Sequence, residues 1–258
     1  MARQKLVLLL AIVLSSCGGA AAPAGPAATT GSPPTPTITV LAASSLTDAF
    51  NRAARDLKQT DPGLDITFAF GSSSTLATQI TNGAPADVFA SADEAIMQKV
   101  ADAKLIEGNA TIFAQNRLQI AVASGNPKQI RGLADLARPG TIVVLAAPTV
   151  PAGHYALDAF AKAGVTISPA SQEVDVRAVL NKVALGEADA GIVYVTDVLS
   201  AQGRVAGVDI PEDQQVLARY PVAVLKDARN APAARAFIGY LLSEPGQRLL
   251  GELGFSRP

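Results

Sequence analysis

Three short segments of this chain contain no Lys or Arg: residues 43–46 and 71–76, which are rich in serine hydroxyls, and residues 150–153, which are Val, Pro, Ala and Gly. Each follows a run of β-forming residues and opens a helical pattern. Each would therefore place free backbone N–H groups, at the positive end of a helix dipole, at the edge of a sheet. Such an arrangement can bind an anion without a cationic side chain.

The same segments predict the protonation state of the anion. Charge-assisted hydrogen bonds contribute roughly 1.5–3 kcal/mol each, so about six or seven neutral donors could offset the burial of a dianion. A protonated anion would need an acceptor for its own proton. The one nearby carboxylate, Asp48, is interpreted instead as part of a capping box over residues 45–48. The segments therefore favour a fully deprotonated tetrahedral oxyanion.

The serines also have other interpretations. Ser45 would belong to that capping box, and Ser73 or Ser74 suits the N-cap of a helix. The chain could alternatively be a secreted hydrolase with Ser45 or Ser73 as its nucleophile. That alternative lacks a partner base, because His154 is the only histidine and no Gly-x-Ser-x-Gly motif is present. We interpret His154 as a structural residue.

The elements that must position these segments follow an α/β pattern. Beyond the first 37 residues, short β-rich runs alternate with helical ones, which predicts parallel, doubly wound sheets. The long β runs 117–124 and 216–225 could each cross from one sheet to another. We therefore expect two lobes, residues 38–118 with 220–258 and residues 119–219, and a ligand cleft at the carboxyl ends of their strands.

The first 37 residues predict where the protein is delivered. Two basic residues precede a short apolar run that ends at Leu14-Ser15-Ser16-Cys17, which resembles a bacterial lipobox. Residues 1–16 are predicted to be a signal peptide, and Cys17 is predicted to carry a lipid anchor. The anchored protein is expected at the outer face of the cytoplasmic membrane or in the periplasm. Residues 17–37 have no charge and predict a flexible tether. A freely secreted protein is the alternative.

Composition narrows the classes of function. Apolar residues make up 49% of the chain, which is ample for a folded core. Loss of the signal peptide would leave 19 basic residues against 22 acidic ones, because two of the 21 basic residues lie within it. No cluster of Lys and Arg suits a phosphate backbone, so nucleic acid is not an expected partner. The single cysteine allows no internal disulfide. We expect a monomer.

Several motifs together resemble the periplasmic molybdate-binding proteins of ABC importers, which belong to the type II solute-binding protein superfamily. The residues that carry the resemblance are, in chain order, 42–47, 71–77, 83–93, 150–156, 175–177, 191–194 and 220–224. The resemblance runs from Ile38 to about Phe255. It implies a two-lobed α/β fold of the periplasmic-binding-protein type, with a ligand cleft between the lobes.

The resemblance also implies the ligand and its donors. The oxyanion would be bound by the hydroxyl and N–H of Ser45 and Ser73, by the backbone N–H of Ala152 and Val176, and by the phenol of Tyr194. Molybdenum would be bound only as molybdate, with tungstate as a substitute, and delivered to a membrane permease. No cofactor and no enzymatic activity are expected.

Some assignments stay open. Ser44 is an alternative or additional donor, because the adjacent serines leave the register uncertain by one residue. Asp175 is interpreted as the cap of the helix that begins near Val176. The remaining tyrosines, Tyr155, Tyr220 and Tyr240, lie in apolar patterns and are interpreted as packing residues. The same fold could bind sulfate, phosphate or ferric ion, although iron prefers clustered Tyr, His and carboxylate ligands that these segments lack.

Overall fold

The computed structural model describes residues 37–258. The predicted signal peptide 1–16, the lipidation site Cys17 and all but the last residue of the predicted tether lie outside this part. They therefore stay predictions. Of the helices in residues 37–258, none has both the length and the hydropathy needed to cross a membrane.

Strands and helices interleave along the described residues, as the α/β pattern predicts. The strands are β1 (Thr37–Ala43), β2 (Asp65–Gly71), β3 (Val88–Ala90), β4 (Thr111–Ala123), β5 (Val143–Ala146), β6 (Ser171–Glu173), β7 (Ala190–Tyr194), β8 (Val205–Asp209) and β9 (Leu217–Val224). The helices are α1 (Thr47–Thr60), α2 (Ser73–Thr81), α3 (Glu94–Asp102), α4 (Pro151–Lys162), α5 (Val176–Ala184), α6 (Val195–Ser200), α7 (Ala231–Leu242) and α8 (Glu244–Glu252). Two 3-10 helices cover Ser44–Leu46 and Leu133–Ala137.

Hydrogen bonds connect the strands in the order β2-β1-β3-β9-β4-β7-β5-β6, and β8 pairs with β4. The pairs of β1 with β2 and β3 are parallel, as are those of β5 with β6 and β7. However, β4 and β9 run antiparallel to every neighbour, so the sheet is mixed rather than purely parallel as predicted. The alternation of strands and helices predicts crossover connections, but it does not encode the direction of the strands that join the two halves.

The long strand β4 divides the sheet into two groups. Its residues 111–117 pair with β9, whereas residues 118–123 pair with β7 and β8. We call β1, β2, β3, β9 and residues 111–117 the first strand group, and β5 to β8 with residues 118–123 the second strand group. The strand β9 stays in the first group. Of the two β runs that were expected to cross from one sheet to another, only the one in β4 therefore connects both strand groups. The lobe boundaries remain a prediction, since the described residues cluster as one compact unit.

Three short elements carry little local sequence signal. The strand β6 consists of Ser171, Gln172 and Glu173 and has no apolar pattern of its own. The helix α6 and the strand β8 are also short. Pairing with β5 and β4 creates the two strands, and such pairing cannot be recognised within a few residues of local sequence.

The aromatic core fixes the start of α1 next to the first serine segment. The ring of Phe50 lies 5.2 to 6.0 Å from the rings of Phe68, Phe113 and Phe237. Ala49, Phe50 and Ala53 form the buried face of the helix. This apolar stripe at helical spacing anchors α1 on the first strand group.

Candidate anion-binding site

The three segments without Lys or Arg, residues 43–46, 71–76 and 150–153, meet around one small cavity. Its lining consists of Ala43, Ser44, Ser45, Gly71, Ser72, Ser73, Ala92, Val150, Pro151, Ala152, Val176 and Tyr194. All five residues implied as donors, and the alternative Ser44, are therefore brought together, although their binding role stays a prediction. The volume of the cavity is about 10 Å³, little more than one water molecule occupies. Because pockets for organic ligands typically measure about 300–1,000 Å³, this cavity suits only a small ligand.

Helix N-termini supply most of the cavity wall. The helix α2 begins at Ser73, α5 begins at Val176, and Ala152 is the second residue of α4. First-turn N–H groups have no partner within their own helix and carry a partial positive charge. None of the lining residues is Lys or Arg. The wall therefore offers neutral donors to an anion.

The hydroxyl of Ser73 is oriented by the backbone. Its Oγ accepts a hydrogen bond from the Ala92 N–H at 3.0 Å, and the side chain is buried. Since that bond occupies a lone pair, the hydroxyl proton remains available for a ligand. The N-cap of α2 is Ser72, whose Oγ lies 2.6 Å from the Ser74 Oγ. The prediction that Ser73 or Ser74 is the N-cap is therefore wrong.

The hydroxyl of Ser45 has a different partner. Its Oγ lies 3.0 Å from the Tyr220 Oη, and both groups are buried. Tyr220 therefore makes a polar contact beside the cavity in addition to the packing role predicted for it. Burial raises the pKa of Tyr220, so its hydroxyl is a neutral hydrogen-bonding group.

The predicted capping box at residues 45–48 is not formed. Residues Ser44–Leu46 form a 3-10 helix, and α1 begins at Thr47, whose hydroxyl donates to the Ser44 carbonyl at 2.7 Å. Asp48 does not cap the helix; its carboxylate accepts a hydrogen bond from Arg177 at 2.7 Å. A residue distant in sequence provides a charged partner, which local sequence analysis could not anticipate.

Tyr194 contributes the most informative atom of the cavity. The residue ends β7 and is buried, and its Oη makes no hydrogen bond of ordinary geometry among the described residues, although its ring packs edge-on against Tyr220, whose phenol interacts with it. Burial raises the pKa of Tyr194, so the phenol stays protonated and can donate. Leaving a buried hydroxyl unpaired costs about 1–3 kcal/mol. A ligand that accepts this bond would remove that cost.

Charged residues lie directly behind Tyr194. The fully buried carboxylate of Asp197 accepts the Tyr194 N–H at 3.1 Å, and its other oxygen lies 2.7 Å from the Arg177 Nε. Burial raises the pKa of Asp197 to about 6, although the Arg177 charge opposes the shift. On the neighbouring helix, the prediction that Asp175 caps the start of α5 is confirmed, since its carboxylate accepts the Ala178 N–H at 2.9 Å. Sequence analysis missed Asp197 and Arg177 as site residues, although Arg177 lies in the motif 175–177.

Close packing at Gly153 fixes the N-terminus of α4. A Cβ at this position would lie 2.2 Å from the Ala147 carbonyl oxygen and 2.3 Å from that of Ala146. Glycine therefore allows the first turn of α4 to pack against the end of β5. This contact sets the position of the adjacent Ala152 N–H at the cavity.

Comparison with known proteins places this architecture in a family. Residues 38–256 match the family described as bacterial extracellular solute-binding protein. The chain belongs to this family. Its relatives include the molybdate-binding protein ModA of Mycobacterium tuberculosis strain H37Rv, which is 44% identical over 253 residues, or 97% of this chain and 95% of that protein.

Solved structures share the fold of this solute-binding protein. The Azotobacter vinelandii periplasmic molybdate-binding protein matches with a TM-score of 0.75 at 19% identity, over 86% of this chain and 99% of that one. The sulfate-binding protein SubI of Mycobacterium tuberculosis H37Rv matches with a TM-score of 0.76 at 21% identity, over 86% and 87% of the two chains. The predicted α/β, periplasmic-binding-protein-like fold is therefore confirmed.

The lone histidine of this solute-binding protein pairs with a carboxylate of its own helix. The His154 imidazole lies 3.6 Å from the Asp158 carboxylate on the same helix. Within residues 37–258, it makes no hydrogen bond with Ser45 or Ser73, which pair with Tyr220 and with a backbone N–H. The arrangement thus gives neither serine a histidine base. In the same residues, no three His, Cys, Asp or Glu side chains are grouped to bind a metal cation such as ferric ion.

Proposed function

We propose that this solute-binding protein captures molybdate, or tungstate in its place, and delivers it to the membrane permease of an ABC importer. One observation carries the proposal: the Tyr194 hydroxyl is buried and unpaired, within the described residues, at a cavity lined by helix N-termini. An oxyanion there would accept the bond that the phenol otherwise lacks. The names of the two relatives that bind molybdate support the same ligand.

Neutral donors would hold the oxyanion. The hydroxyl and N–H groups of Ser45 and Ser73 would bind it from one side, and the N–H groups of Ala152 and Val176 with the Tyr194 phenol from the other. Ser44 lines the same wall and remains an alternative donor. Molybdenum would be present only within the oxyanion, without a bond between metal and protein. The proposal includes no cofactor and no chemical step.

Sulfate is the competing ligand, because it is also a fully deprotonated tetrahedral dianion and SubI shares the fold. Discrimination would come from size, since donors spaced for a larger oxyanion fit sulfate loosely and lose hydrogen-bond energy. Hydrogen phosphate would lack an acceptor for its proton, because no carboxylate belongs to the cavity lining within the described residues.

The protein would work as a monomer outside the cytoplasmic membrane, held there by lipid at Cys17. The lipobox sequence supports the anchor, and the family supports the extracytoplasmic location. A Cys17→Ser variant should leave the membrane fraction after cell fractionation. Equal recovery of both forms in the membrane would refute the anchor.

The ligand proposal is tested by calorimetric titration of the full chain carrying Cys17→Ser with molybdate, tungstate, sulfate and phosphate. We expect tight one-to-one binding of molybdate that only tungstate displaces. The Tyr194→Phe variant should bind about ten- to one-hundred-fold more weakly, because a hydrogen bond from a phenol to an anion contributes roughly 1.5–3 kcal/mol. The variant should be at least as stable as the parent without ligand, since it lacks the unpaired hydroxyl.

Tyr240→Phe is the matched control. It removes a phenol hydroxyl that donates to Asp56 at 3.1 Å and does not line the cavity. This variant should bind molybdate like the parent protein. No heat with any of the four anions would overturn the proposal, whereas preferred binding of sulfate would reassign the ligand within the same fold.

A further inference from the structure

We propose that Arg177 is a positioning residue that ties two anion donors to the closure of the cavity and thereby slows release of the anion. The inference rests on the proposed function. It concerns an ion-pair network that lies outside the cavity lining and joins the two strand groups. The carrying observation is that one guanidinium contacts carboxylates from both groups, with Asp48 on one side and Asp197 on the other.

Arg177 lies at the junction of the two strand groups. Its helix α5 packs on β5 and β7 of the second strand group. Asp48 belongs to α1, which packs on β2 of the first strand group. The Arg177 Nη2 lies 2.7 Å from the Asp48 Oδ2. The pair therefore forms only when the two groups lie this close together.

The same guanidinium holds two donors of the second strand group. Arg177 directly follows Val176, which begins α5 and lines the cavity. Its Nε neutralises Asp197, and the second oxygen of that carboxylate fixes the Tyr194 N–H. Because Arg stays charged at all relevant pH values and is planar, it can keep both carboxylates in a fixed arrangement.

The charge of Arg177 also shields the anion. Asp197 is fully buried behind Tyr194, so an unpaired negative charge there would oppose the binding of a dianion. Arg177 is itself partly buried, with 22% of its side chain exposed, whereas the Asp48 side chain is 51% exposed. The Asp197 contact therefore stabilises the second strand group, while the Asp48 contact can break when the cavity opens and form again when it closes.

The decisive variant is Asp48→Asn, because this half-exposed position can lose its charge without leaving a buried group unpaired. It should raise the dissociation rate of molybdate about two- to five-fold and leave the association rate unchanged, as expected for a partly exposed ion pair. The matched control is Arg52→Gln on the same helix. It removes the 2.6 Å pair with Glu252, which joins α1 to α8 and does not bridge the strand groups.

Closure can be followed with two fluorophores on the full chain carrying Cys17→Ser. That chain has no other cysteine, so Arg55→Cys on α1 and Glu187→Cys just beyond α5 introduce the two sites for labelling. Liganded, labelled protein is mixed with an excess of unlabelled protein, which captures released molybdate. The change in energy transfer then reports the opening and dissociation rates.

A second pair of variants tests the positioning role directly. Arg177→Gln should weaken binding at least ten-fold, and Arg177→Lys should recover part of the loss because it restores the charge. The double variant Arg177→Gln with Asp197→Asn removes the unpaired buried charge and should fold, yet dissociate quickly. This result separates positioning from a purely structural role, which the double variant would rescue completely.

The outcomes distinguish the two proposals. If the parent protein binds molybdate and Asp48→Asn dissociates at the same rate as the parent and Arg52→Gln, the inference is overturned while the proposed function stands. If the parent protein binds none of the anions, both fail. Faster dissociation in Asp48→Asn alone supports the inference.

Discussion

The two sides of the cavity hold their donors in different ways. On the first strand group, the hydroxyls of Ser45 and Ser73 already have protein partners, Tyr220 and the Ala92 N–H. On the second strand group, the Tyr194 phenol has no partner among the described residues, and a network of charges lies behind it. The contrast shows that one wall is preorganised, whereas the other keeps a donor that the proposed oxyanion would engage.

The largest expected effect concerns the second wall, which is the part of the cavity lined by Ala152, Val176 and Tyr194. Gly153→Ala would place a Cβ 2.2 Å from a backbone carbonyl oxygen, so α4 must move away from β5. We expect the free energy of unfolding to fall by about 2 kcal/mol or more, and the affinity for molybdate to fall at least one-hundred-fold. Denaturant unfolding and calorimetry measure the two effects.

Gly239→Ala is the control for this substitution. Gly239 lies in α7, and a Cβ there would meet no atom within 4 Å. Because alanine favours a helix by up to about 1 kcal/mol over glycine, this variant should be equal or more stable. If Gly153→Ala behaves in the same way, close packing does not position the second wall.

The next effect is a pH dependence that belongs only to the second wall. Burial raises the pKa of Asp197 to about 6, above its value of about 4 in an unfolded chain. The folded state therefore holds this proton more tightly, and Asp197 lowers stability as pH rises from about 4 to about 6, with no further change above. The free energy of unfolding should fall by an amount on the order of 2 kcal/mol between about pH 4 and about pH 6, and the Asp197→Asn variant should lack this fall.

The measurement is the difference between the unfolding free energies of the parent and Asp197→Asn from pH 4 to pH 7. The groups that face Asp197 are the Arg177 guanidinium, the Asp48 carboxylate and the phenols of Tyr194 and Tyr220. Of these, Asp48 is the other carboxylate, so Asp48→Asn is the control. A constant difference over the whole range would contradict the raised pKa.

A smaller effect on affinity is expected at the wall that the first strand group contributes. Tyr220→Phe removes the partner of the Ser45 hydroxyl but leaves the serine in place. Since a single neutral hydrogen bond contributes about 1 kcal/mol, we expect a three- to ten-fold loss of affinity. Calorimetry beside Tyr194→Phe tests the contrast, which fails if the Tyr220 variant loses more affinity than the Tyr194 variant.

Much of the fold could be predicted because it depends on local patterns. The apolar stripe of α1 and the helix start at Asp175 are visible within a few residues. The mixed strand directions and β6 depend on pairing with distant strands. The capping-box prediction at Ser45 failed for the same reason, because Asp48 pairs with Arg177, which lies 129 residues away.

The chemistry of the cavity can be read from the sequence: hydroxyls, open backbone and no cation in the segments that lead into helices. How each donor is held depends on contacts between residues far apart in the chain. The Ser45 contact with Tyr220 spans 175 residues, and the unpaired state of the Tyr194 phenol depends on everything packed around it. Residue types and spacing fix which hydrogen bonds are available, but three-dimensional packing selects which of them are made within the protein and which are left for a ligand.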